Sequence, residues 1–190
     1  FLREHLGVQV FDRSFSLRDD GTSELGLAFP FDLEGTAKRP VDLISSGTPK
    51  TPALDQRQAA LLGLPPTAHA IAGNDARAEN LFVLPGTSTQ TKLLNSVVDG
   101  VWIGTIDRVE CFEPSRVQIR ATARGVRQIR SGRLAHALPD LIWEDSLLRA
   151  FSSLVGIGAE TVISRHQEGF LGGTSAPSLA ISGVTNLRSI

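Results

Sequence analysis

The chain contains no methionine and a single cysteine, Cys111. A lone thiol excludes an internal disulfide and makes a cytosolic home the default. A sequence that opens on Phe1-Leu-Arg-Glu-His5 without any methionine is expected to be the C-terminal piece of a longer protein. No charged segment followed by an apolar one stands near its start, which argues against a signal peptide. No apolar run approaches the roughly 20 residues of a membrane span. Charge of neither sign dominates: 19 Lys and Arg stand against 20 Asp and Glu. The resulting net charge of −1 gives no global pull toward nucleic acid or an acidic membrane.

The familiar catalytic signatures are missing too. A zinc protease needs two histidines one helical turn apart, so that both imidazoles face one metal. His5, His69, His136 and His166 are too far apart in sequence for that, and Cys111 has no Cys or His at metal spacing. There is no Gly-x-Ser-x-Gly elbow and no phosphate loop ending in Gly-Lys-Ser/Thr.

What remains is an ordinary globular composition. The 190 residues are 41% hydrophobic and 21% charged, enough for one sizeable core or two small ones. Val8–Phe11 and Ser14–Leu17 alternate weakly and read as strands, with Asp19-Asp-Gly-Thr22 as a turn in which Gly21 supplies a positive φ. Val41–Ser45 reads as a strand turned by Ser46-Gly-Thr-Pro49. A helix is expected next, with Thr51 as N-cap, Pro52 at its first position, and Leu54, Leu61 and Leu62 on one face. Gly63-Leu-Pro-Pro66 stops it.

Asn80–Leu84 reads as a buried strand, followed by a helix capped by Thr87 and Gln90 with Leu93, Leu94, Val97 and Val98 at helical spacing. From Val101 to about Ala137 the period becomes two. Val117, Ile119, Ala121 and Ala123 form a dry face against a wet one of Arg116, Gln118, Arg120, Thr122 and Arg124. Arg130-Ser-Gly-Arg133 turns a hairpin, a last helix runs from about Leu147 to a stop at Gly156, and Thr161–Arg165 and Ser178–Ser182 read as short strands. Helices do not alternate one-for-one with strands. The expected class is therefore α+β, with mainly antiparallel sheets (sandwich or barrel-like) and about three short helices.

Several clusters could carry chemistry. Six arginines between Arg116 and Arg133 could form a basic stripe for phosphates, or a solvated sheet face balanced by acids. Asp32 and Glu34 alternate on one segment and would point to one side, as a carboxylate pair or as charges defending an edge strand. Gly172-Gly173-Thr-Ser-Ala-Pro177 could cradle an anion or simply turn.

Order and spacing of several segments carry a resemblance. They are Asp19-Asp20, Asp32-Leu-Glu-Gly35, Leu43-Ile-Ser-Ser-Gly47, Gln58-Ala-Ala-Leu-Leu-Gly63, Thr67-Ala-His-Ala70, Asn80 to Gly86 and Gly156-Ile-Gly158. Together they resemble the C-terminal half of the TldD/PmbA family, peptidase-related proteins once called modulators of DNA gyrase. The resemblance implies that residues 1–190 form the C-terminal domain of a cytoplasmic, two-subunit zinc metalloprotease that trims peptides, including a microcin precursor. In that family the zinc motif lies in the part preceding such a domain, and the catalytic subunit draws a cysteine ligand from a segment matching Ser164–Gly173. Here that segment has no cysteine, although His166 could stand in chemically. A zinc-free, PmbA-type partner subunit is the expectation: no catalytic residue or metal ligand in this chain, and zinc in the parent complex or the partner. The expected partners are a homologous subunit, as homo- or heterodimer, and an unfolded peptide substrate. Asp32, Glu34, His69 and Asn80 are the expected substrate-wall or interface residues. The alternative is an interaction module that binds nucleic acid through the Arg116–Arg133 face.

Overall fold

The structure, a computed structural model, describes residues 2–25, 29–73, 75–165 and 172–190. The chain forms two compact units, one of Leu2–Pro85 with Glu160–Pro177, the other of Gly86–Ala159 with Ser178–Ile190. The first carries β1 (Leu17–Asp19), β2 (Val41–Ser45), β3 (Thr48–Pro49), α1 (Gln56–Leu62), β4 (Ala70–Ile71), β5 (Asp75–Ala76) and β6 (Asn80–Val83). The second carries α2 (Gln90–Asn95), β7 (Asp99–Trp102), β8 (Thr105–Glu113), β9 (Gln118–Arg124), β10 (Arg127–Arg130), β11 (Arg133–Ala137), β12 (Leu141–Ser146) and α3 (Leu147–Ser152). β13 (Leu154–Arg165) and β14 (Gly173–Ile181) each contribute to both, and β15 (Leu187–Ser189) ends the second. No helix among the described residues is long and apolar enough to cross a membrane.

The class is α+β, with, among the described residues, three short α-helices and mostly antiparallel sheets that do not close into a barrel. One six-stranded sheet runs β13-β14-β6-β1-β2-β3, and β4 and β5 make a separate pair. A four-stranded sheet, β15-β12-β9-β8, and a three-stranded one, β11-β10-β7, belong to the second unit. The pairing is not wholly antiparallel: β14 runs parallel to β6, with Gly173 opposite Asn80. β13 and β14 are also far longer than the short closing strands that the sequence suggests.

In the first unit the segment from Val8 to Phe15 is not a strand. Its backbone is drawn onto the β2–β3 turn instead: the amides of Val10 and Phe11 donate to Gly47 O, and Gly47 N donates to Phe15 O. Ser46 and Gly47 both have positive φ, 48° and 75°, which makes a tight two-residue hairpin turn. A Cβ at Gly47 would strike the Phe11 carbonyl oxygen, so glycine is required there twice over. Phe11 and Phe15 pack at 5.6 Å between ring centroids, and Leu43, Ile44 and Leu54 are buried in the same unit.

The sequence places the start of α1 too early. Its N-cap is Asp55, whose carboxylate accepts from Gln58 N at 2.5 Å, and Gly63 closes it in the left-handed conformation. Leu54 is buried ahead of the helix, while Leu61 is exposed, and the helix buries Ala59. α2 likewise starts later than expected, capped by Thr89 rather than Thr87. Gly21 does not have positive φ; its lack of a side chain instead makes room for the stem of Lys38.

The second unit follows the period-two pattern. Ile119, Ala121 and Ala123 of β9 are buried, and Ile119 and Ala121 pack with Trp143 and Ala150 beneath Leu147, Ile181, Val184 and Leu187. Val117 lies outside the strand, at positive φ, where a 3₁₀ turn ends. Arg130 and Arg133 flank the expected hairpin turn, with Ser131 and Gly132 at positive φ. α3 stops at Ser152, before Gly156, which falls within β13.

Candidate functional site

The polar residues of interest gather in the first unit, around the stretch from Thr67 to Asn80. Asp19, at the end of β1, is almost fully buried, and one of its oxygens accepts the backbone amides of Glu79 at 2.8 Å and Asn80 at 3.0 Å. Its other oxygen lies 3.5 Å from His69 Nε2, an ion-pair distance. The second ring nitrogen of His69 sits 2.8 Å from Thr67 Oγ1. That hydroxyl already accepts Leu54 N–H at 2.7 Å. The threonine hydroxyl also lies 3.3 Å from Pro52 O and from Leu54 O, while His69 Nε2, buried and beyond hydrogen-bond geometry, meets Asp19 only at ion-pair distance. Burial pushes the Asp19 carboxyl up, but the His69 contact and the hydrogen bonds from Asn80 and Glu79 together outweigh it and hold the group below its ordinary value.

Asp32 performs a matching task on the facing loop. One oxygen accepts from Glu34 N and Thr36 N, at 3.0 and 2.8 Å, and the other accepts from Ala70 N at 3.1 Å. Leu33 N returns a bond to Ala70 O. The segment is thus a tight loop closed by a Phe31–Ala37 bridge, not the extended strand that would align Asp32 with Glu34. Asp32 is buried, whereas Glu34 is exposed and accepts Gln56 N at the start of α1.

Between loop and hairpin lies a cavity of about 230 Å³, lined by Phe29, Phe31, Asp32, Lys38, Arg77 and Glu79 among others. The phenylalanine rings meet at 4.7 Å between centroids. Glu79 accepts from Arg77 at 2.9 Å and lies 3.9 Å from the Lys38 ammonium. Of the four residues picked from sequence, Asp32 therefore lines the cavity, His69 and Asn80 lie in the buried network that fixes Glu79, and Glu34 caps a helix. Phe29, Phe31, Lys38, Arg77 and Glu79 carry no recognisable motif in the sequence.

Elsewhere three of the six arginines of the stripe are met by acids: Arg120 by Glu144 and Glu110, Arg124 by Asp107 and Asp140, and Arg116 by Glu113. Among the described residues no three His, Cys, Asp or Glu side chains converge as a metal site. Cys111 is exposed on β8. Both His69 nitrogens face protein groups, so these residues do not fit a zinc ion. His166, and with it most of the segment matched to a family ligand, lies outside the described residues.

An α+β domain with a small amphipathic cavity braced by buried carboxylates is the architecture these observations define. The chain belongs to the family described as the PmbA/TldA metallopeptidase C-terminal domain, whose model matches residues 1–186. Among solved structures it is similar to a candidate modulator of DNA gyrase from Thermotoga maritima, at 25% identity and a TM-score of 0.79 over 95% of this chain. TldE from Thermococcus kodakarensis gives 16% identity and a TM-score of 0.76 over 94% of the chain. A candidate modulator of DNA gyrase from Bacteroides thetaiotaomicron gives 20% identity and a TM-score of 0.77 over 100% of this chain. The last two likenesses concern the fold alone. The chain spans 40% of the length of each of these proteins. Comparison with the curated proteins gave no match.

Proposed function

We propose that this domain is the peptide-holding part of a cytoplasmic two-subunit metallopeptidase, in the zinc-free, PmbA-type subunit, with the zinc carried by a homologous partner. The domain would form one wall of the chamber, and an extended peptide would be held by backbone pairing to an open sheet edge.

The observation that carries this reading is the geometry of Ala76. It stands opposite Ala70 in the β4–β5 pair. The N–H and C=O of Ala70 are directed to Asp32 and Leu33, on the side away from β5. Ala70 and Ala76 are thus a pair that exchanges no bonds, so the backbone groups of Ala76 also point outward. There its N–H donates to the neighbouring Asp75 Oδ1 at 2.8 Å, an exposed local bond that an incoming strand would displace. Among the described residues β5 pairs with β4 alone, which leaves that edge beside the cavity without a strand partner.

Two measurements test the reading. Titration of the full chain with an end-blocked, extended peptide should show binding that Ala76→Pro weakens at least tenfold; unchanged affinity in that variant overturns edge pairing. Elemental analysis of the parent protein, alone and with its co-purifying partner, should find zinc only in the pair. Zinc near one per chain in the parent alone overturns the zinc-free assignment.

A further inference from the structure

We propose that the cavity beside Ala76 seats the C-terminal residue of a peptide, with its apolar side chain against Phe29 and Phe31 and its free carboxylate on the Lys38 ammonium. This deepens, and rests on, the peptide-holding reading above.

Lys38 is the reason. Its side chain lines the cavity and is only 9% exposed. A lysine ammonium carries three donors and is costly to remove from water unless they find acceptors. Here its nearest carboxylate is Glu79 Oε2 at 3.9 Å, beyond hydrogen-bond reach, and among the described residues it donates no hydrogen bond. Glu79 is drawn toward Arg77, whose guanidinium donates to its other oxygen at 2.9 Å. Asp32, the other acid on the wall, is occupied by three backbone amides. The charges around the cavity therefore leave one largely covered cation, loosely paired with Glu79, whose ammonium opens to the cavity and has no hydrogen-bond acceptor among the described residues.

That cation is also held in place. Lys38 N donates to Pro30 O at 2.9 Å, and its stem crosses the backbone of Gly21 where any side chain would collide with it. The chemistry of the rest of the wall narrows the ligand. Phe29, Phe31, Leu33 and Ile71 present apolar surface, with Phe31 46% exposed and Leu33 60% exposed at the mouth. A cavity of about 230 Å³ is below the roughly 300–1,000 Å³ of drug-sized ligand sites, and matches a single residue better than a longer segment. An acidic side chain could satisfy Lys38 but would leave the phenylalanines uncovered. An apolar C-terminal residue supplies a carboxylate and a hydrophobic side chain from one carbon, which satisfies both walls together.

The test uses the full chain and three peptides titrated calorimetrically: an Ala-rich hexapeptide ending in leucine as the free acid, the same peptide as its C-terminal amide, and an end-blocked extended peptide. The free acid is expected to bind at least tenfold more tightly than the amide. Lys38→Met should bring the ratio near one, and Phe31→Ala should weaken acid and amide alike while keeping the ratio, with circular dichroism unchanged in both. Equal binding of acid and amide to the native chain overturns the proposal, as does a ratio that survives Lys38→Met. If the end-blocked peptide binds but the acid has no advantage, edge pairing stands and the cavity assignment fails. If the acid preference and its Lys38 dependence appear without binding of the end-blocked peptide, the cavity assignment stands and edge pairing fails. Absence of all binding overturns both.

Discussion

Asp19 accepts the backbone amide of Glu79 at 2.8 Å across sixty positions of sequence, and so ties the end of β1 to the wall of the cavity. The same carboxylate takes Asn80 N and faces His69. A buried acid that gathers amides from distant chain segments acts as a local clamp, and removing it leaves those amides unpaired.

Asp19→Asn replaces one acceptor oxygen by a donor. It is expected to cost about 1–3 kcal/mol by urea unfolding, the usual penalty for an unsatisfied buried group. The pH dependence gives a second readout. The folded-state pKa of Asp19 is depressed, so its contribution is present above the unfolded value near 4 and is lost as pH falls toward the folded one. The native chain should lose melting temperature more steeply below about pH 4 than Asp19→Asn does; parallel acid limbs would show that Asp19 is not the clamp.

Asp32→Ala should open the loop that carries the phenylalanine pair. Three amides lose their acceptor, those of Glu34, Thr36 and Ala70. Hydrogen exchange at these three should accelerate at least tenfold relative to amides of β9, with a global cost of about 2 kcal/mol. Protection that stays unchanged at all three would remove Asp32 from this role.

Gly47 and Gly63 make a matched pair, since both adopt positive φ. A Cβ at Gly63 would meet nothing within 4 Å, whereas one at Gly47 would collide with the Phe11 carbonyl oxygen. Gly63→Ala is expected to cost about 1 kcal/mol, from backbone conformation alone. Gly47→Ala should cost about 3 kcal/mol, because collision adds to strain. Equal melting temperatures for the two variants would refute the contact between the Val8–Phe15 segment and the hairpin turn.

In the second unit, buried Asp145 is held by Arg149, by Trp143 Nε1 at 3.3 Å and by Ser146 N at 2.8 Å. The hydrogen bond to Asp145 in turn raises the pKa of Arg149. Arg149→Met leaves that carboxylate without its cation and should cost about 2 kcal/mol, discounted from the fully buried case because the guanidinium is partly exposed. Adding Asp145→Leu should recover more than half of the loss. Additive losses in the double variant would mean that the pair contributes nothing beyond its separate members.

Local chemistry made much of the fold legible. The dry face of Ile119, Ala121 and Ala123, the positive-φ turns at Gly47 and Gly132, and the helix stop at Gly63 each follow from a few neighbouring residues. The order of such segments was enough to suggest the family to which the chain belongs. The tertiary structure decided what depends on distant partners. Val8–Phe11 has strand-like alternation, but the β2–β3 turn offers its amides a better acceptor than a neighbouring strand does. The start of α1 shifts to Asp55 because Thr67, thirteen residues beyond Leu54, takes the Leu54 amide into a different arrangement. The cavity likewise has no signature in sequence. Phe31, Lys38 and Glu79 lie far apart along the chain, and their meeting depends on carboxylates at positions 19 and 32 binding backbone amides, which any residue but proline can supply.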